Sequence, residues 1–426
     1  MRILIISDLH IGRSARCLSL IPNVDRLGSD GKEDEAFLKN KTDQKYIERL
    51  KYLKDSKNIT VDYLILSGDI TDEAEIEQFQ HFDEFIGEVQ HIFNLDKDKI
   101  LFTPGNHDVD WVMLNGVPAV DPSSTRFSSR YDSLKKSELL FQIHELADRD
   151  LFSSPYFCAW KKNEDLFVLS INTAAYDSPK VKEHCGEISS DTTDAINDYM
   201  SNHQMDEFSG LKVILMHHHP KLYENIFPNW KDFSAIQCPK DIISISRNLG
   251  FDFIIHGHRH QPGFDCTLTS SGEQIAIICC GSFSDEFPYY VYEELSNQIH
   301  FLNIEKRDSE TGVIIGCLEN YAFTLNQGWQ PSEKRRDGID HKICFGPNEH
   351  REPLKNKIIV FLQAILTEKG KCEVTEIYQY IPSLKYQTES LVLSILNEVC
   401  NENNYDMFGN NLDKSVILMG DKNASD

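Results

Sequence analysis

Five short apolar runs, each stopped abruptly by Asp, Asn or His, constrain this chain more than any other feature. RILIIS runs into Asp8-Leu9-His10, DYLILS into Gly68-Asp69, and KILFTP into Gly105-Asn106-His107-Asp108. KVILM leads to His217, and FDFIIH to Gly257-His258-Arg259-His260. Apolar runs of this length read as strands buried on both faces, which parallel sheets require. Helix-like segments lie between them, such as Glu73 to Val89 with Ile76, Phe79, Phe82, Phe85 and Ile86 on one face. Repeated strand, loop and helix predicts α/β layering, with polar side chains gathered where the strands stop.

Two segments exceed a minimal connection, residues 12–60 and 109–164, the second holding Trp111, Tyr131, Phe141, Tyr156 and Trp160. Shaping of substrate entry and cover for the core both explain such insertions. Further strands are predicted at Ile275 to Cys280, Tyr289 to Glu293 and Gln298 to Glu305. The last two are expected to join at Ser296-Asn297, as part of a second sheet or an edge hairpin. From Pro331 the polar stretches EKRRDGIDHK and GPNEHREP read as a linker. Beyond it, Ile358, Phe361, Leu362, Ile365 and Leu366 mark one helix, Val374 to Ile381 a second and Leu391 to Val399 a third, before a final strand SVILM. The expected organisation is a main domain over 1–305, extra strands and linker over 306–352, and a small mainly helical accessory domain over 353–426. That last pattern is shared by winged-helix-like modules and plain packing domains.

The formal net charge of -24 disfavours broad binding to a nucleic-acid backbone unless basic residues cluster locally. Small anionic substrates held through metal stay compatible with it. No stretch approaches the roughly 20 apolar residues that span a bilayer, and the first residues read as a strand, not as a signal peptide. Eleven cysteines show neither framework spacing nor a CxxC pair. Reduced thiols in a cytoplasmic protein are therefore expected.

Asp8, His10, Asp69, Asn106, His217, His258 and His260 are all oxygen or imidazole donors with no thiolate among them. Such a set suits Mn, Fe or Zn handling phosphate. If the strand continues through Asp8 and His10, alternation sends both to one side, and His258 and His260 share that spacing. Each short motif is common in unrelated chains, and a lone histidine is more often structural. It is five clusters in fixed order, each after a buried-strand pattern, that point to a metal site. His81, His144, His184, His256 and His300 match no motif, so core or surface roles are expected for them.

These motifs together resemble the signature of the calcineurin-like metallophosphoesterases over roughly residues 1–305. The resemblance implies a four-layered αββα sandwich with two divalent or trivalent ions, Mn²⁺ and/or Fe with Zn as a further option, at the strand ends. It implies that Asp8, His10, Asp69 and His260 hold one ion, and Asp69, Asn106, His217 and His258 the other, with Asp69 bridging. His107 becomes the proton donor or transition-state stabiliser, and Asp72 the carboxylate that orients it. The run His217-His218-His219-Pro220 leaves open whether His217 or His218 is the ligand.

Ser67 to Asp72, with Glu77 and Phe79, and Met216 to Pro220 resemble the class III cyclic nucleotide phosphodiesterase branch, although Glu73-Ala74-Glu75 stands where that branch usually carries glycine. The implied activity is hydrolysis of a P–O bond in a phosphodiester, a cyclic nucleotide or a nucleic acid, by attack of a metal-bridging hydroxide. A nuclease of the same superfamily is the alternative, favoured by the insertions and the helical C-terminal module and opposed by the acidic charge. A silent metal-binding scaffold is opposed by the complete ligand set. A protein partner is expected to dock on 353–426, and no membrane association is expected.

Overall fold

The computed structural model describes all residues except 24–40, 115–128, 179–183, 222–233, 238, 269–273, 287–295, 348, 388, 410–411 and 421–426. It divides into two compact units. The first comprises Met1–Thr267, Ile275–Ile304 and Leu318–Lys342; the second comprises Leu268–Gln274, Glu305–Cys317 and Ile343–Asp426.

In chain order the first nine strands are β1 (Arg2–Ile6), β2 (Tyr63–Leu66), β3 (Ile100–Phe102), β4 (Phe157–Lys162), β5 (Leu166–Ile171), β6 (Leu211–Leu215), β7 (Phe253–His256), β8 (Gly263–Leu268) and β9 (Gln274–Cys279). They are followed by β10 (Gln298–Arg307), β11 (Ile314–Thr324), β12 (Gly328–Pro331) and β13 (Lys342–Phe345). One sheet has the order β12-β11-β10-β1-β2-β3 with β13 on β11, and the other the order β4-β5-β6-β7-β9-β8. The pairs β1/β2 and β2/β3 are parallel, as are β5/β6, β6/β7 and β7/β9. The five expected strands are thus β1, β2, β3, β6 and β7, and within each sheet their C-terminal ends lie along one edge. Their apolar runs are buried throughout, because helices cover one face and the other sheet the second. Thr103 Oγ1 donates to the Ile171 carbonyl at 3.2 Å, and Ser170 Oγ to that of Phe102 at 3.0 Å, linking the ends of β3 and β5.

The main helices are α1 (Tyr46–Lys57), α2 (Ile76–Phe93), α3 (Glu138–His144), α4 (Ser190–Asn202) and α5 (Pro239–Asn248). Ile196, Tyr199 and Met200 of α4 and Ile242 and Ile245 of α5 pack with Phe167, Leu169, Ile214, Ile254 and Ile277 of the second sheet. The result is a four-layered αββα sandwich. α2 buries Phe79, Phe82, Phe85, Ile86, Val89 and Phe93, but Ile76 is 46% exposed, so it is not part of the apolar face. The helix also starts later than Glu73. Ala74 has φ +53°, and Gln78 Oε1 accepts the N–H groups of Asp72 (3.2 Å) and Glu73 (3.0 Å), so the chain turns before the helix begins.

Three expectations change. The strand expected at Ile275 to Cys280 is β9, Gln274–Cys279, beside β7 in the second sheet, whereas β10 lies in the first sheet antiparallel to β1, pairing Ile5 with His300; Tyr289 to Glu293 falls outside the described residues. Phe157–Lys162, counted within an insertion, pairs as β4 with β5, a fully buried strand that the motif reading passed over because no polar cluster ends it. The polar stretch after Pro331 is folded: it carries a helical turn, Lys334–Asp337, and β13. Asp337 is fully buried because its carboxylate accepts from Arg336, the Glu333 N–H and Ser296, which satisfies a group that composition alone assigns to solvent.

The second unit holds α6 (Arg351–Lys369), β14 (Lys371–Glu373), α7 (Val374–Tyr380), α8 (Glu389–Asn403), β15 (Tyr405–Phe408) and β16 (Val416–Met419). An antiparallel sheet in the order β14-β16-β15 accompanies the helices. Leu354, Ile358, Leu362, Leu366, Ile377, Val392, Ile395, Leu396, Val399 and Ile417 form its own core. Among the described residues no helix is long and apolar enough to cross a membrane, and every described cysteine is a free thiol.

His300 on β10 illustrates how the fold fixes a proton. Gly281 N–H donates to its Nε2 at 3.0 Å, and its Nδ1–H donates to Asn320 Oδ1 at 2.7 Å, so the ring is neutral. Burial pushes its pKa down from 6.5 to about 4. The unfolded chain therefore binds more protons between these values, and the stabilisation present above 6.5 is lost as pH falls toward 4, by up to roughly 3 kcal/mol. Urea midpoints should drop between pH 7.5 and 5, and His300→Gln should flatten that drop; an unchanged slope in the variant would assign the dependence elsewhere.

Candidate metal centre

The strands stop before the polar residues begin. Asp8 (φ +51°), His10 (+48°), Asp69 (+49°), His258 (+71°) and His260 (+56°) all occupy the left-handed region. This corrects the expectation of extended alternation: Asp8 and His10 share a side because the backbone turns back at each. Such conformations cost on the order of 1 kcal/mol apiece or more and persist only where surroundings enforce them. Here the loops hold one another. Asp8 N–H donates to the Gly68 carbonyl, and His10 N–H to that of Asp69, both at 3.0 Å. His258 N–H donates to Asp8 Oδ1 at 3.1 Å, and Gly257 N–H to the His217 carbonyl at 3.1 Å.

Two glycines are required by this closeness. Gly68 has φ +95° and lies against the His217 ring, while a Cβ at Gly257 would collide with Ser7 and Asp8. Behind Asp69, the Asp108 carboxylate accepts N–H groups from Ile70 (3.2 Å), Thr71 (2.9 Å) and Gly105 (2.8 Å), stapling two site loops together. Its burial, with Asp69 nearby, holds its pKa up to about 6.

Asp8, His10, Asp69 and His260 bring one ligand atom each within 4.8 Å of one another, and so do Asp69, His217 and His258. Asp69 belongs to both groups. His217 Nε2 lies 3.1 Å from Asp69 Oδ2, 3.1 Å from Asn106 Oδ1 and 3.2 Å from His258 Nδ1. His260 Nε2 lies 3.2 Å from Asp8 Oδ1 and 3.1 Å from His10 Nε2. All seven candidate ligands therefore converge. His217 turns into this cluster, whereas His218 Nδ1 pairs with Thr173 Oγ1 at 2.8 Å.

The donor set fits metal ions by its own geometry. His217 Nδ1 meets the Ser67 carbonyl at 2.8 Å and His260 Nδ1 meets Asp285 at 2.7 Å, so each ring directs Nε2 inward. Lone pairs facing one another at 3.1–3.2 Å repel unless a cation or a proton lies between them. In the metal-free chain protons take that role. Burial opposes a charged His217, yet Asp69 and Asp8 push its pKa up to about 9. Burial likewise opposes a charged Asp69, but the imidazoles of His217, His107 and His10 hold it well below the usual carboxylate range.

His107 stands beside the cluster, its ring 4.8 Å from that of His10 and edge-on to it. Its N–H donates to Asp69 Oδ1 at 2.9 Å. Its Nδ1 meets the main-chain carbonyl of Asp72 at 2.7 Å, while the Asp72 carboxylate accepts the Ser14 N–H at 3.1 Å. The hydrogen bond to His107 is thus made by the Asp72 backbone, while an Asp72 carboxylate oxygen lies within 4.8 Å of a ring nitrogen of His107 and of His10.

Sequence reading missed Asp285, the partner of His260. Its signal was present: it follows the apolar run IAIICC within GSFSD, the same strand-then-carboxylate pattern as the other clusters. Ser282 fixes it, taking the Asp285 N–H at 2.7 Å and donating to the Asp8 carbonyl at 2.8 Å. Asp285→Asn should weaken metal binding about 10- to 100-fold with little change in thermal stability of the metal-free chain. Metal titration checks this, and unchanged affinity would reduce Asp285 to a structural residue.

The family model for calcineurin-like phosphoesterases matches residues 1–262. No curated protein matches the chain in sequence. Among solved structures, a purple acid phosphatase from yellow lupin (Lupinus luteus) seeds is 12% identical, with TM-score 0.44, over 76% of this chain and 51% of that one. A putative 5′-nucleotidase from Staphylococcus aureus, in complex with alpha-ketoglutarate, is 11% identical with TM-score 0.40 over 78% and 56%. PhoD is 8% identical with TM-score 0.44 over 83% and 72%. The chain thus spans little more than half the length of the first two.

Proposed function

Since this chain belongs to the calcineurin-like phosphoesterase family, we propose that it is a dinuclear metal-dependent phosphodiesterase. The observation that carries the reading is the pair of ligand groups sharing Asp69. Asp8, His10, Asp69 and His260 hold one ion; Asp69, Asn106, His217 and His258 hold the other, with Mn²⁺ and/or Fe as the proposed metals and Zn as a further option. When bound, such a pair supplies a nucleophile at neutral pH by acidifying water and neutralises charge on a phosphoryl oxygen. The protein's own contribution is to keep the ligands aimed. Ser67 and Asp285 fix the inward-facing nitrogens of His217 and His260, and the backbone N–H of His107 donates to Asp69 Oδ1, which ties His107 to the same loop.

His107 is the general acid. Its Nδ1–H is committed to the Asp72 carbonyl, so in the charged ring the second proton, on Nε2, is the one free for the departing oxygen. Asp69 and the Asp72 backbone raise its pKa against the effect of burial, keeping that proton available near neutrality. Diesters are favoured over monoesters by Ser67 to Asp72, which resembles the cyclic nucleotide branch; a nucleic-acid substrate is disfavoured by the net charge of -24. Residues 353–426, with a core of their own, serve as an accessory domain for a protein partner. The free thiols suit a cytoplasmic setting.

Hydrolysis of bis(p-nitrophenyl) phosphate, with p-nitrophenyl phosphate as monoester control and Mn²⁺ supplied, tests the reading. Diester turnover abolished by chelation supports it; monoester turnover alone makes the protein a phosphatase, and silence with Mn²⁺, Fe and Zn leaves a scaffold.

A further inference from the structure

Beside the metal centre a line of rings leads outward from His107. The Trp111 indole lies 5.3 Å from the His107 ring, and His184 stacks on Trp111 at 4.4 Å with 12° between planes. The His184 Nδ1 lies 3.0 Å from both carboxylate oxygens of Asp177. Asp177 is 2% exposed, whereas the His184 side chain is 34% exposed. The buried carboxylate thus fixes the tautomer with Nδ1 protonated, and Nε2 has no hydrogen-bond partner among the described residues.

The backbone is built to hold this ring in place. His184 has φ +45°, a left-handed conformation, and two residues on the chain passes so close to His218 that a Cβ at Gly186 would fall 2.6 Å from its Cγ. Asp177 N–H is taken by the Ala174 carbonyl at 3.0 Å in the loop that leaves β5. A pair serving only to close that loop has no need of the indole, and the indole belongs to the segment that follows the Asn106-His107 loop.

We infer that His184 is a specificity-determining residue, whose Nε2 hydrogen-bonds an oxygen on the ester arm of a substrate with its phosphorus at the metal centre, Asp177 and Trp111 acting as positioning residues. This rests on the phosphodiesterase reading. His107 adjoins the ligands and His184 stands two ring contacts farther out, so it reaches past the phosphoryl group to a hydroxylated, sugar-like arm. Bare phosphate is too short to reach it. Nε2 accepts from a hydroxyl, or donates to an ether or hydroxyl oxygen when the ring is charged.

The test uses the full-length, Mn²⁺-loaded protein and two probes, thymidine 5′-monophosphate and inorganic phosphate, measured by calorimetry. His184→Ala should weaken nucleotide binding about tenfold, the worth of one well-placed hydrogen bond, and leave phosphate binding unchanged. His184→Gln, which keeps a donor and an acceptor, should retain most of the affinity, and Asp177→Asn should lose part of it. With turnover, His184→Ala should raise KM for the p-nitrophenyl ester of thymidine 5′-monophosphate about tenfold while kcat and the KM for bis(p-nitrophenyl) phosphate stay put. Equal binding of the nucleotide by wild type and His184→Ala overturns the inference, as does parallel loss of both probes, which marks a structural role. A wild type that discriminates through His184 without hydrolysing any diester upholds the inference and removes the phosphodiesterase reading instead.

Discussion

Asp69→Ala is expected to empty at least one metal position and to lower diester turnover by about 10²- to 10³-fold or more, the range seen when a preorganised electrostatic contact is removed. Asp69 joins the group of Asp8, His10 and His260 to the group of His217 and His258, and its Oδ2 lies 3.1 Å from His217 Nε2 and 3.7 Å from His10 Nε2. Its Oδ1 also accepts the His107 backbone N–H at 2.9 Å, so the substitution removes the proposed ligand and loosens the proposed acid in one step. Elemental analysis after dialysis, read beside turnover, is the check. Two equivalents of metal retained by the variant would dismiss the bridging role. Asp69→Asn is the milder companion: it keeps the volume and one oxygen but loses the charge, and should retain the fold while binding metal weakly.

His107→Ala separates the proposed acid from the proposed ligands. The ring lies next to His10 but outside both groups that share Asp69, so metal content should remain at the wild-type value while kcat falls about 10²- to 10⁴-fold. The loss should shrink for a leaving group that needs no proton, such as p-nitrophenolate, and grow for an alkoxide. A fall of equal size for both leaving groups would assign His107 to transition-state charge and not to proton transfer. Loss of metal in this variant would instead make His107 part of the coordination.

How far the sequence carries this protein can be judged residue by residue. RILII, YLIL, ILF, LKVIL and FIIH are strands as their composition indicates, since continuous apolar runs too short for helices have few other places to go. The helices of the second unit were equally readable, because Ile358, Leu362 and Leu366 repeat at helical spacing and are buried together. Ile76 defeated the same logic: it fits the stripe, yet a turn set by Ala74 and Gln78 leaves it in solvent. Asp337 defeated composition, since a charged residue in a polar stretch is buried once distant groups satisfy it.

By itself the amino-acid sequence determined the α/β class, the family and the chemical type of the seven candidate ligands, because strand formation and donor chemistry are properties of short segments. Tertiary structure alone decided that His10 and His260, 250 positions apart, stand with Nε2 atoms 3.1 Å from each other. It likewise decided that His217 and not His218 turns inward, that Asp285 backs His260, and that His184 stacks on Trp111. These depend on which strand ends the sheet order brings side by side and on left-handed turns that only neighbouring loops can hold. No local pattern encodes a contact whose partner lies on another strand.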